Sequence, residues 1–146
     1  MNVNLALDSK EVKAMLAKYP KRIDKATKKS LLATATLGEV IIRERTAKGR
    51  GVNGAFKSYS QGYLKHLRSK GYPTKPDLIY SNKMMSSLRA RAQTSKLAII
   101  TFNSTPEKRK AVWNNKTRRF FDHTRGEMKK MRREFSKEFF RRMSRA

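Results

Sequence analysis

Cysteine is missing from this sequence, which removes disulfide staples, thiolate nucleophiles and cysteine-based metal centres at once. Acidic residues are scarce: 11 Asp and Glu stand against 36 Lys and Arg, a formal net charge of +25. The few carboxylates are scattered, most with a basic neighbour, and form neither an acid/base pair nor a nucleophile–base constellation. An enzyme is therefore not expected. Histidine is limited to His66 and His123. Only Asp122, beside His123, offers either of them a second ligand, whereas zinc needs three or four. No metal and no cofactor is expected. Long apolar runs are lacking too, and no stretch approaches the roughly 20 residues that span a bilayer. The opening residues, Met1 to Asp8, do not have the basic-then-apolar order of an export signal. The expectation is a protein used inside a cell, or in a particle assembled there, with no membrane partner.

What the chain has in excess is positive charge. Its 146 residues suit one domain, residues 1–146, but only 38% are hydrophobic, so the core is modest. A lone domain this basic repels itself at low salt, and its working state should include something negative.

Apolar periodicity and turn residues place the elements. Asp8 and Glu11 resemble a capping pair for a helix from Ser9 to about Lys18, ended by Tyr19-Pro20. A second, long helix is predicted from Pro20 to about Ala47. Its main buried stripe is Ile23, Ala26, Ser30, Ala33, Leu37, Val40 and Ile41; Leu31, Ala35, Gly38 and Ile42 form a weaker one. Residues 48–80 read as an extended, interaction-bearing loop, too aromatic for a disordered linker and too broken for one element. Inside it, Ser58 or Ser60 can cap a short helix ending near Lys70, with Gly71 as terminator and Tyr63 and Leu67 on one face. Lys83 to Leu88 make a turn or two of helix. Arg89 to Phe102 form a hairpin around Thr94-Ser95-Lys96. A short helix runs from Pro106 to Trp113 with Ala111 and Val112 inward, and Thr117 to Asp122 is extended. A basic helix fills residues 124–146, capped by Thr124 or Asp122, with Met128, Met131, Phe135, Phe139 and Met143 as its apolar seam. The fold class is α+β: the long N-terminal helix and the basic C-terminal helix pack on a small antiparallel sheet.

Gly49-Arg-Gly-Val-Asn-Gly54 matches a dinucleotide fingerprint to the letter, but a helix precedes it where a strand is needed. It is a flexible basic loop matching by chance. Asn103-Ser-Thr105 and Asn115-Lys-Thr117 match glycosylation sequons, which carry no meaning without export. Two features remain. Phe56, Tyr59, Tyr63 and Tyr72 lie among basic residues; they suit protein contacts, with stacking on single-stranded nucleic acid as the other reading. Lys129, Lys130, Arg132, Arg133, Lys137, Arg141 and Arg142 on the last helix, with Lys48 and Arg50 in the loop, form a polyanion-facing set. A membrane role for that helix is not expected, because Phe135 and Phe139 serve as core.

Three pieces of the chain together resemble the phage tail-completion or virion-morphogenesis proteins, a family of small neck and minor tail subunits. They are Gly54-Ala-Phe56-Lys-Ser-Tyr59-Ser60 followed by Tyr63; Asp77-Leu-Ile-Tyr-Ser-Asn82-Lys-Met-Met-Ser-Ser-Leu88 before the hairpin; and Lys110-Ala-Val-Trp-Asn114 followed by Arg118-Arg119-Phe120-Phe121. Asn82 stands where the family usually has Gly, and the proline often found between Arg and Phe is missing. The resemblance implies a non-enzymatic virion subunit, made in the host cytoplasm and assembled as a homo-oligomeric ring. Its partners would be the portal or connector and the tail terminator or tube proteins, with the DNA backbone in the neck channel as a further candidate. Arg118, Arg119, Phe120 and Phe121 join the aromatic residues of the loop as expected subunit contacts. On that footing, replacing Phe120 and Phe121 together by Ala should leave the monomer folded and stop assembly. The alternative is a cytoplasmic protein that binds nucleic acid without sequence preference.

Overall fold

The computed structural model describes residues 10–79 and 82–145, with side chains from residue 17 onward. The expected capping role of Asp8, and the parts given to Tyr80 and Ser81, lie outside the described residues. The architecture is α+β, with two small antiparallel sheets where one was expected.

Helix α1 runs unbroken from Lys10 to Ala47, with Pro20 inside it. The expected break at Tyr19-Pro20 does not occur. Proline removes one backbone donor and crowds the carbonyl four residues back, costing about 3 kcal/mol. Leu16, Ala17 and Lys18 before it and Lys21 and Arg22 after it are strong helix formers that carry the helix past it. After α1 come strands β1 (Arg50–Gly51) and β2 (Gly54–Ala55), helices α2 (Gln61–Ser69) and α3 (Lys83–Ser86), and strands β3 (Leu88–Ala92) and β4 (Ala98–Phe102). Helices α4 (Thr105–Thr117) and α5 (Arg125–Ser144) complete the chain.

The buried face of α1 is Ala26, Ser30, Ala35, Gly38, Ile42 and Thr46. It starts on the stripe expected to dominate and finishes on the weaker one, while Ile23 and Val40 stay exposed. Side-chain size explains the correction. Helix α5 and the β3–β4 hairpin both press on α1 at Gly38, where an added Cβ would lie 2.7 Å from Met131 Cε and 2.9 Å from Ile100 Cδ1. Small residues admit both neighbours; Val40 or Ile23 on that face would hold them off.

Helix α5 runs antiparallel to α1. Arg22 in the N-terminal half of α1 donates to the Met143 carbonyl, and Arg45 near its end pairs with Glu127. Thr124 caps α5 in a full capping box: its hydroxyl accepts from Glu127 N–H at 3.2 Å, and Glu127 Oε2 accepts from Thr124 N–H at 2.7 Å. The expected seam of Met131, Phe135, Phe139 and Met143 is only half-buried, Met128 is exposed, and no residue of α5 is fully buried. The hairpin pairs Leu88 with Phe102 and Ala90 with Ile100. Glu39 fixes it to α1: its Oε2 accepts from Ala90 N–H at 2.6 Å, while Arg43 bonds both Glu39 and the Leu88 carbonyl. The i,i+4 pair on α1 thus satisfies backbone groups of β3.

The main core gathers Ile42, Phe56, Met84, Met85, Leu88, Phe102, Ala111 and Phe120, with Phe121 packed against it. Asn82 opens α3 at φ 52°, a left-handed position that asparagine tolerates.

Candidate subunit and polyanion interfaces

Residues 118–124, between α4 and α5, have no regular structure, yet partners hold them on several sides. The Arg45 side chain, only 11% exposed, donates through Nη2 to the Phe120 carbonyl at 2.7 Å and the Asp122 carbonyl at 2.6 Å, and through Nη1 to Glu127 at 2.5 Å. Asn115 Oδ1 accepts from the Phe120 and Phe121 N–H groups, both at 2.9 Å. His123 Nε2 lies 3.1 Å from the Gly38 carbonyl. Burial pushes the Glu127 carboxyl up, but the Thr124 N–H and the Arg45 guanidinium outweigh it and hold the group below its ordinary value.

The Gly49–Gly54 stretch is a short ladder, not the loose loop expected. Phe56 N–H donates to the Gly49 carbonyl at 2.8 Å, and Val52 N–H donates to the Arg119 carbonyl at 2.9 Å. Gly49 and Gly54 take positive φ, and a Cβ on Gly51 would lie 2.5 Å from the Arg119 carbonyl oxygen. These glycines shape a hairpin that docks on residues 118–124, with no strand ahead of them to build a dinucleotide site. Because the obstacle at Gly51 is backbone, it cannot swing aside. Gly51→Ala is expected to lose about 1–3 kcal/mol in urea denaturation, and an unchanged midpoint would contradict the docking.

The expected contact residues divide. Phe120 is fully buried and Phe56 nearly so; both are core, which corrects their assignment to a subunit surface. Arg45 and Asn115 take the backbone groups of this stretch and turn Phe120 inward, so the double Phe120 and Phe121 replacement is expected to destabilise the monomer rather than spare it. Phe121 is half-buried, its ring centroid 5.3 Å from that of Phe102. Arg119 is exposed and paired with Asp122 at 2.7 Å. Tyr59, Tyr63 and Arg118 come together. The Arg118 guanidinium sits 5.0 Å above the Tyr59 ring, and Tyr63 meets Tyr59 edge-on at 5.0 Å. They line a groove of about 470 Å³ with Leu78, Met84, Glu107, Lys110 and Asn114. Burial pushes the Tyr59 phenol up, against the opposing pull of Arg118. Glu107 is 7% exposed; Lys110 meets its Oε1 at 2.8 Å, and its buried Oε2 has no hydrogen-bond partner. Tyr72 is exposed and outside that lining.

Comparison with protein-family models, curated proteins and solved structures found no match.

Lys129, Lys130, Arg132, Arg133 and Lys137 are exposed on α5, as are Lys48 and Arg50 before and in β1. Arg141 and Arg142 differ: both reach Glu138 Oε2 at 2.7 Å and are half-buried. Among the described residues no helix is long and apolar enough to cross a membrane, and no three His, Asp or Glu side chains cluster to hold a metal ion.

Sequence reasoning missed the most exposed apolar residues. Helix α4 runs on to Thr117, leaving Trp113 72% and Val112 57% exposed, although Val112 was expected inward; Phe140 on α5 is 68% exposed. Beside Val112 lies an apolar groove of about 330 Å³, lined by Phe102, Ala111 and Phe121 among others. A lone Trp on an otherwise polar helix was the available signal. Lys116, with Nζ 5.9 Å from the Trp113 ring, partly shields it.

Proposed function

We propose that this chain is a non-catalytic structural subunit of a phage neck or tail, assembled as a ring through repeated contacts between copies. The observation that carries the proposal is the unfinished burial. Trp113, Val112 and Phe140 stand in solvent, and an apolar groove opens beside Val112. Val112 lines that groove and Trp113 follows it on α4, and large apolar side chains beside a groove mark a protein contact. A ring supplies one, because each copy lends its patch to the next until rotation closes the set. The groove of Tyr59, Tyr63 and Arg118 is a second contact surface of aromatic and arginine character. The order of elements, a long helix followed by the hairpin and the aromatic stretch after arginine, is compatible with the family resemblance of the sequence. The exposed cations of α5 would face the DNA backbone or an acidic neighbour, and salt would weaken that contact.

Val112→Ser combined with Trp113→Ser tests the proposal, since both side chains contact solvent and the fold should survive. The wild type is expected to sediment as a closed oligomer and the variant as a monomer with unchanged circular dichroism. Identical sedimentation of the two would refute the proposal. The second reading, a nucleic-acid-binding protein without sequence preference, is favoured by the cations Lys129 to Lys137 on α5. On that reading nuclease strips the protein of its partner; on the first, its assemblies outlast nuclease.

A further inference from the structure

A second concentration of positive charge lies where the C-terminal end of α5 packs against α1. There Arg22, Lys25 and Lys29 of α1 face Arg141, Arg142 and Arg145 from α5 and its C-cap across a cleft of about 270 Å³, floored by Ala26. Glu138 is bonded to Arg141 and Arg142, and the Glu134 carboxylate also acts on Arg141, so cations outnumber carboxylates among the described residues here. Arg22 spends one nitrogen on the Met143 carbonyl. The Nε atoms of both Arg22 and Arg142 are nevertheless buried without a hydrogen-bond partner. Buried donors left unpaired are costly, and cations converging from two helices repel one another unless an anion sits between them. The small Ala26 keeps the floor open; a longer side chain there would fill the space.

We infer that this cleft is a phosphate-binding site, recognising closely spaced phosphate groups of a polyphosphate or a nucleic-acid backbone through forked arginine bonds and lysine charges. Arginine suits the role because its planar fork matches phosphate oxygens two at a time. The inference rests on the polyanion-facing part of the proposed function and gives it a defined place, apart from the exposed cations of α5. Arg133 lies eight residues before Arg141, about 12 Å along the helix, beyond the screening length of about 8 Å at physiological salt.

The test compares two triple variants of equal charge. Lys25→Gln, Lys29→Gln and Arg145→Gln alter only exposed side chains at the cleft, and Lys129→Gln, Arg132→Gln and Arg133→Gln alter the distant face. Inorganic tripolyphosphate, too small to bridge both places, is titrated by calorimetry near physiological salt. The cleft variant is expected to lose about tenfold or more in affinity, and the distant variant to bind like the wild type. Equal losses, or no binding by the wild type, would overturn the inference. A duplex DNA measured by fluorescence anisotropy then identifies the source of the phosphates. If the backbone occupies the cleft, tripolyphosphate displaces the DNA and the cleft variant loses more DNA affinity than the distant one. If both lose it equally while tripolyphosphate remains cleft-specific, free polyphosphate is the ligand. A chain that stays monomeric yet binds in this cleft-specific way would refute the ring and leave the site standing.

Discussion

Phe120→Ala should lower the folding free energy by about 3–5 kcal/mol. The ring is fully buried, packs edge-on against Phe102 at 6.5 Å and shares the core with Ile42, Leu88 and Met84. Its backbone N–H is held by Asn115 and its carbonyl by Arg45, so the surroundings cannot easily collapse into the cavity. Against the usual margin of about 5–15 kcal/mol, one substitution removes about a fifth of the stability or more. Urea denaturation of the variant should show a large fall in midpoint. Phe121→Ala, at a half-buried ring, should lose clearly less. A Phe120→Ala protein that unfolds like the wild type and fails only in assembly would return this residue to the subunit surface and contradict the core described here.

Arg45→Met is expected to cost a similar amount, about 3–5 kcal/mol, because removing one partner of a largely buried pair leaves the other uncompensated. Three acceptors are abandoned at once: Glu127 and the carbonyls of Phe120 and Asp122. Arg45→Lys keeps the charge but not the fork, and should recover only part of the loss. The pH dependence is a second signature. The Glu127 carboxyl is held below its ordinary value of 4.5 in the folded protein. A depressed carboxyl contributes stability that is complete above the unfolded pKa and lost as pH falls through the folded one. The stability gap between wild type and Arg45→Met should therefore narrow as the solution is acidified below pH 4.5. A gap constant through that window would mean that the ion pair contributes nothing beyond packing.

Much of the element order was legible because it rests on local chemistry. Ser60, one of two serines offered as the cap of α2, Gly71 after it, the β3–β4 hairpin and Thr124, one of two caps offered for α5, each need only a few neighbouring residues to be recognised. The unbroken α1 was not legible, since proline's local penalty conceals the helix-forming turns around it. Nor was its buried face. Residue size decides which stripe admits two neighbours, and Gly38 beats Val40 because α5 and β4 must both come close. The aromatic stretch after Arg119 shows the limit most sharply. Hydrophobicity alone does not tell Phe120 from Trp113, one wholly inside and the other in solvent. The difference lies in Arg45 and Asn115, which take the backbone of residues 120–122 and turn Phe120 into the core. For the basic cleft, Arg22, Lys25 and Lys29 stand at helical spacing in the sequence but were not singled out. Their convergence with Arg141, Arg142 and Arg145 depends on the antiparallel pairing of two helices far apart in sequence.

The central claim is that copies of this chain complete one another's burial. Native mass spectrometry of the nuclease-treated wild-type protein addresses it most directly. The account predicts one dominant oligomer whose mass is a whole-number multiple, greater than one, of the 16.9 kDa chain. It also predicts that this species persists when salt is raised enough to release nucleic acid. A monomer at every salt concentration, or a mass that changes with the nucleic acid carried, would contradict it.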